Sequence, residues 1–179
     1  VARMPFHYVA RSAEAGMVLL ISLTFLLLLT LIGLSAMQMA TSQEKITGSI
    51  LQRNQSFQSA ESGLRMGESA VQATNFNLRP CHSVVVCAPP GESISVNGPG
   101  VNPISTITWV AMKGGLYGIQ NLGLGVGPAH LPADTSATLY RVTSVGISGH
   151  SRSVLESVYA RVGEAPGERF RRILWRQLQ

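Results

Sequence analysis

Reactive side chains in this 179-residue sequence are few and scattered. Asp134 is its one aspartate, and the four histidines, His7, His82, His130 and His150, lie far apart along the chain. Their spacing gives no carboxylate pair, metal-ligand pattern or nucleophile elbow. The sequence therefore reads as non-enzymatic, with no cofactor and no metal. The two cysteines, Cys81 and Cys87, enclose five residues. In an oxidising compartment such a pair reads as a disulfide, worth about 2 kcal/mol for so short a loop in the chain-entropy account. Two reduced thiols are the plain alternative. His82 and His130 are available to join the cysteines around a metal, but the spacing matches no zinc pattern. The run Gly123-Leu124-Gly125-Val126-Gly127 looks like a dinucleotide loop, yet its glycine spacing is wrong and no βαβ pattern follows.

The informative residues are apolar. Residues 17–37 hold nine leucines, and no charged side chain occurs from 15 to 43. That stretch makes about 32 Å of helix, enough to cross a bilayer's hydrocarbon core. The leucines, with Val18, Ile21, Phe25 and Ile32, favour insertion by very roughly 4–8 kcal/mol. Ser22, Thr24, Thr30 and Ser35 can return their hydroxyls to the helix backbone and so tolerate lipid. A buried helix of a soluble domain is rarely so long and so purely apolar. No second run of this kind exists, which argues against a polytopic membrane protein, and charged residues are only 13% of the chain.

Of the net charge of +5, residues 1–16 carry +1, with Arg3 and Arg11, residues 17–163 carry +2, and residues 164–179 carry +2, with Arg169, Arg171, Arg172 and Arg176. Basic flanks orient a membrane span, here with residues 1–16 cytoplasmic and everything past about residue 40 outside. Residues 78–136 carry only Arg79 and Lys113 as basic groups, so nucleic acid is not an expected partner. The small residues Ala13, Ala15 and Gly16 precede the apolar run, whereas a secretory signal peptide has its small-residue cleavage site after it. A cut at Gly16 would keep the helix on a mature protein beginning at Met17; the alternative is an uncleaved signal anchor.

No proline occurs between Pro5 and Pro80, and Ile50, Phe57, Leu64 and Val71 recur every seven residues. One helix is predicted from 17 to about 77, with a lipid half over 17–43 and an amphipathic half over 44–77. Its packing residues are Ile50, Phe57, Ala60, Glu61, Leu64, Arg65 and Val71, set against a sheet or another helix. Glu61 and Arg65 form an i, i+4 pair worth a few tenths of a kcal/mol. Past Pro80, proline and glycine clusters mark turns. Residues 83–87, 93–96 and 105–112 read as short strands, and 113–128, with six glycines, as a flexible loop. Residues 137–145 and 152–162 read as a hairpin turning over 146–151. Glu156 breaks its apolar alternation, marking a sheet edge or a partner-facing site. The β-rich head thus spans 78–163. In the tail, 164–179, Phe170, Ile173, Leu174 and Leu178 fall at helical spacing among Trp175 and four arginines. This predicts a short basic amphipathic helix lying on lipid, on a partner or on its own sheet.

A short leader, a retained apolar helix, an amphipathic extension and an antiparallel sheet together resemble a type IV pilin-like protein. The stretch from Gly16-Met17-Val18-Leu19-Leu20-Ile21 to Ser35-Ala36-Met37-Gln38 is similar to the start of PilX-type minor pilins, as is Arg53-Asn54-Gln55-Ser56-Phe57-Gln58-Ser59-Ala60-Glu61-Ser62-Gly63-Leu64-Arg65 with Glu68 after it. The pair Tyr140-Arg141-Val142-Thr143 and Tyr159-Ala160-Arg161 is similar to the family's C-terminal part.

The resemblance implies an α+β fold, a ladle whose long N-terminal helix, half membrane and half amphipathic, packs on an antiparallel β-sheet. It implies cleavage after Gly16 by a prepilin peptidase and N-methylation of Met17. It places the chain in the bacterial inner membrane as a single pass, head in the periplasm, and later in the pilus fibre. The implied work is priming assembly with other minor pilins on the inner-membrane assembly platform, and carrying a PilY-type tip adhesin for adhesion and twitching motility. Major pilins carry a glutamate five residues into the mature chain, where it pairs with a neighbour's N-terminal ammonium; here that position is Ile21. An unpaired carboxylate in lipid costs about 2.5–3.5 kcal/mol, and Ile21 suits a subunit at or near the tip, where that contact is not needed. Certain tip-located secretion pseudopilins lack the acid too, so a type II secretion minor pseudopilin is the alternative. A signal-anchored periplasmic protein or enzyme, keeping residues 1–16, is the second.

Overall fold

The computed structural model describes residues 15–74, 76–163 and 167–179. They fall into two compact units, Val1–Thr47 and Gly48–Gln179. Residues 1–14, with Arg3, His7, Arg11, Glu14 and most of the expected leader, lie outside the described residues. Apolar, proline-free sequence gives one helix, α1 (Ala15–Val71), which runs uninterrupted through Gly33 and Gly48. It stops at Val71, about six residues short of the expected end. Thr74 and Asn77 are weak helix formers, and Phe76 leaves the helical path to set its ring edge-on to Tyr140, 5.6 Å between centroids.

In the second unit the end of α1 packs on a six-stranded antiparallel sheet, so the expected α+β class is the one adopted. The strands are β1 (Gly100–Val101), β2 (Thr108–Met112), β3 (Gly115–Val126), β4 (Ser136–Ser148), β5 (Ser151–Val162) and β6 (Arg169–Gln177), and each lies beside its sequence neighbours. The predicted hairpin is β4–β5, paired from Ala137↔Val162 to Ser148↔Ser151.

Four local expectations are corrected. Residues 83–87 are not a strand; they include a short helix, α2 (Val84–Cys87), whose first turn is capped when Val86 N–H donates to Ser83 Oγ. Residues 93–96 are not a strand; a 3-10 turn occupies Gly91–Ile94. Most of the expected loop at 113–128 is the long strand β3, and its glycines serve close packing. A Cβ on Gly115 would overlap the Val145 carbonyl, and one on Gly118 the Ile107 side chain.

The tail is a strand, not a helix. β6 adds to the free side of β5, where its peptide groups find ladder partners that a surface helix would leave unused. A bulge explains the misleading pattern. The register runs Tyr159↔Arg172, then Val158↔Leu174, so Ile173 is skipped and the side-chain alternation reverses.

Both faces of the sheet are covered. Under α1 lie Ala60, Leu64, Val71, Tyr140, Val142 and Leu155. On the other face Ile107, Trp109, Leu116, Val145 and Val154 form a second cluster with Val96 against it. Helix and sheet meet without room for a methyl group at Gly146, where a Cβ would overlap the Ser56 carbonyl and the Ala60 amide. Gly146→Ala in the detergent-solubilised chain is therefore expected to lose about 2–3 kcal/mol in thermal unfolding. Gly98→Ala, with nothing within 4 Å, should change stability by less than about 0.5 kcal/mol. Equal effects would show that the contact is slack.

Candidate functional site

The first candidate surface is α1 itself. Every described side chain over 16–47 is exposed, in a helix whose most apolar window has mean hydropathy 2.8. This helix is long and apolar enough to cross a membrane. Three hydroxyls of its apolar part are turned inward: Ser22 donates to Leu19 O at 2.8 Å, Thr24 to Ile21 O at 2.9 Å and Thr30 to Leu27 O at 2.7 Å. The outer surface is thereby nearly free of hydrogen-bonding demand. Gly16 and Met17 lie in the first turns of α1, and Ile21, one turn on, is 57% exposed. An isoleucine here brings no charge for a neighbour to neutralise.

The second candidate is the seam between α1 and the sheet. Of the residues expected to pack, Ala60, Leu64 and Val71 are buried, while Phe57 and Glu61 are half-buried. Ile50 and Arg65 are exposed and take no part in the seam with the sheet. The sheet ends at the β4–β5 turn, where Gly149 lies against Gln52, so Ile50 falls just beyond it. Arg65 lies on the solvent side of the helix.

What the seven-residue spacing missed is a stripe of small residues, Ser56, Ala60, Gly63 and Gly67, all buried. They let the helix backbone approach β4 so closely that a Cβ on Gly63 would overlap Ser144 Oγ, and one on Gly67 the Val142 side chain. Ser56 Oγ and Ser153 Oγ share a buried hydrogen bond of 2.9 Å. Two further contacts tie α1 to β6. Phe57 and Trp175 meet edge to face at 6.5 Å, and Arg172 grips the buried Glu68 with two nitrogens, Nε donating to Oε1 at 2.8 Å. The hydrogen bond to Glu68 holds the Arg172 guanidinium above its ordinary pKa. Spacing of small residues at i, i+4, i+7 and i+11 was the available signal for this seam.

On the opposite face, Glu156 corrects another expectation. It is neither at an edge nor partner-facing but fully buried in the interior strand β5. Arg176 on β6 donates to its Oε1 from Nε at 3.0 Å and approaches it with Nη2 at 2.9 Å. Arg141 on β4 brings Nε to 3.3 Å from Oε2, an ionic contact without hydrogen-bond alignment. Burial pulls the Arg141 pKa down, and Glu156 opposes that pull.

The same Arg141 holds the disulfide loop. Its Nη1 donates to Cys87 O at 2.6 Å and to Gln120 Oε1 at 3.2 Å, while Gln120 Nε2 donates to Val86 O at 2.6 Å and Ala88 O at 3.1 Å. Cys81 and Cys87 are joined as a disulfide, Cα–Cα 5.4 Å. At the loop's start, Asn121 accepts from Cys81 N–H at 2.8 Å through its carbonyl and donates to Leu78 O at 2.6 Å through Nδ2. Arg152 fixes the following turn through Val96 O at 2.8 Å and Ser93 O at 3.2 Å.

These polar groups are spent on structure. Among the described residues no three His, Cys, Asp or Glu side chains converge as a metal site would require. The run 123–127 carries the end of β3 paired with β4, not a phosphate-binding loop.

Glu156→Gln should expose the importance of that buried charge. It leaves Arg141 facing a neutral amide, and thermal unfolding should report a loss of about 3 kcal/mol. Most of the loss is assigned to Arg141, because Arg176 is nearly half exposed and water can screen it. A loss below about 1 kcal/mol would mean that solvent reaches both arginines.

Residues 15–65 match the protein family described as PilX N-terminal. The match covers less than a third of the chain: the exposed apolar part of α1 and the first turns of the seam. It supports a PilX-type type IV pilin. No curated protein and no solved structure matches the chain.

Proposed function

We propose that this PilX-type pilin is a minor subunit that primes assembly of a type IV pilus and sits at or near its tip. The observation that carries the reading is the long, exposed, charge-free stretch of α1 over 16–43, within the segment that matches the PilX N-terminal family. Such a surface needs either lipid or other apolar helices around it. The mechanism is a change of surroundings rather than a reaction. The subunit waits in the inner membrane with its head in the periplasm, and is taken up when helix–helix contacts in the fibre replace contacts with acyl chains. Aliphatic and small side chains permit that exchange at little cost.

Prepilin peptidase would cut after Gly16, and Met17 would carry the N-methyl group. Ile21 supports a tip position, because a subunit with no neighbour above it has no ammonium to meet. Other minor pilins, the assembly platform and a PilY-type adhesin are the partners of this reading, which extends to adhesion and twitching motility.

Mass spectrometry of the protein purified from its own membranes tests the first step. A methylated N-terminus at Met17 is expected, and an intact leader would make the chain a signal-anchored protein and overturn the proposal. Co-purification then separates filaments. Pilus components are expected in the complex, and secretion components alone would reassign the chain as a pseudopilin.

A further inference from the structure

We infer that the outer edge of β6 is a docking site for an extended acidic segment of another protein, which joins the sheet as a seventh strand. The inference rests on the second unit alone and not on the filament reading, so either can fail without the other.

The sheet has two edges, and they differ. β1 is two residues long and is flanked by Pro99 and Pro103, which blunts it as a template. β6 runs nine residues without proline and pairs on one side only, with β5. Among the described residues nothing pairs with its other side, so a row of peptide N–H and C=O groups faces outward there. An edge of this length is the feature that strand addition uses.

The strand is held in place for such a role. Phe57 packs on Trp175, Glu68 holds Arg172, and Glu156 holds Arg176. Its charge is of one sign: Arg169, Arg171, Arg172 and Arg176, with no acid from 169 to 179. Arg169 pairs in register with Val162 and Arg171 with Ala160, which puts both on the face away from α1, the face of Arg176 and Glu156. Arg172 is satisfied by Glu68, and Arg176 shares Glu156 with Arg141. Arg169 and Arg171 have no acidic partner among the described residues.

These two guanidiniums, at alternate positions on one face, fit carboxylates at alternate positions of an incoming strand, the pattern that cross-strand pairing rewards. A second copy of this chain does not fit. Edge-to-edge pairing of two β6 strands would set arginine against arginine, and the chain has no stretch with acids at every second position. The occupant is thus a different protein, read by backbone pairing for affinity and by acidic side chains for choice of partner.

The test uses the full chain in neutral detergent and a fluorescent nine-residue peptide alternating valine and glutamate. Saturable binding by anisotropy is expected, with slowed amide hydrogen exchange over Arg169–Gln177. The lysine counterpart of the peptide should not bind. Replacing the peptide's central valine with proline keeps the charge, breaks the ladder and should abolish binding. Arg169→Glu with Arg171→Glu should weaken binding about tenfold or more. Neither arginine supports the fold, so the environment of Trp175 against Phe57, read by its emission, should be unchanged. Equal binding of the proline peptide, exchange protection elsewhere than β6, or unchanged affinity in the double variant would overturn the inference. So would a lack of saturable binding, which would leave the arginines as guards against edge-to-edge aggregation.

Discussion

The backbone of α1 comes down onto β4 along a stripe of small residues, meeting the β4 backbone at Gly146, Ser144 Oγ at Gly63 and the Val142 side chain at Gly67. Ser56, Ala60, Gly63 and Gly67 make that approach possible from the helix, and Gly146 and Ser144 from the sheet. The rest of the head follows from it. At this separation Ser56 reaches Ser153, Phe57 reaches Trp175, and Glu68 is carried into the interior, where Arg172 neutralises it. A larger side chain anywhere along the stripe would lift the helix and loosen three strands at once. The tightness of protein interiors makes such a seam an all-or-none contact.

Because α1 covers one face and the segment from Leu78 to Ile107 lies over the other, β5 has no solvent side. Six successive residues, 153–158, are buried, which is uncommon in an antiparallel sheet, where one face usually meets water. A strand buried on both faces is expected to be apolar throughout. Here it contains Ser153, Glu156 and Ser157, and the carboxylate lies between two arginines from the flanking strands. Such a buried ionic group adds little stability compared with an apolar replacement, but its loss on one side only is costly. Its effect is to fix which strands flank β5 and in what register. Through Arg141 it also fixes where the disulfide loop docks, so the cover of the second face is held by charge and carbonyl oxygens as well as by its apolar cluster.

The two units use apolar residues in opposite ways. In the head two clusters are sequestered, one on each face of the sheet. Over 17–37 the apolar residues are displayed, with the Ser22, Thr24 and Thr30 hydroxyls folded back on the helix backbone. A displayed apolar helix of this length is long and apolar enough to cross a membrane.

The sequence by itself determined whatever depends on local chemistry. The apolar helix could be read from composition and length, the β4–β5 hairpin from alternation, and the cysteine pair from its spacing, since each is set by residues near one another in the chain. The tertiary structure alone decided matters that depend on distant partners. Glu156 looked like an edge residue because alternation is blind to the arginines of β4 and β6 that surround it. The glycines of 113–128 looked like flexibility because the close packing that requires them comes from strands and loops elsewhere in the sequence. The tail looked helical because a one-residue bulge at Ile173 disguised a strand, and because its deciding influence, the free side of β5, exists only once the sheet has formed. A helix can satisfy its own backbone hydrogen bonds, whereas a strand's partners are supplied by the rest of the fold.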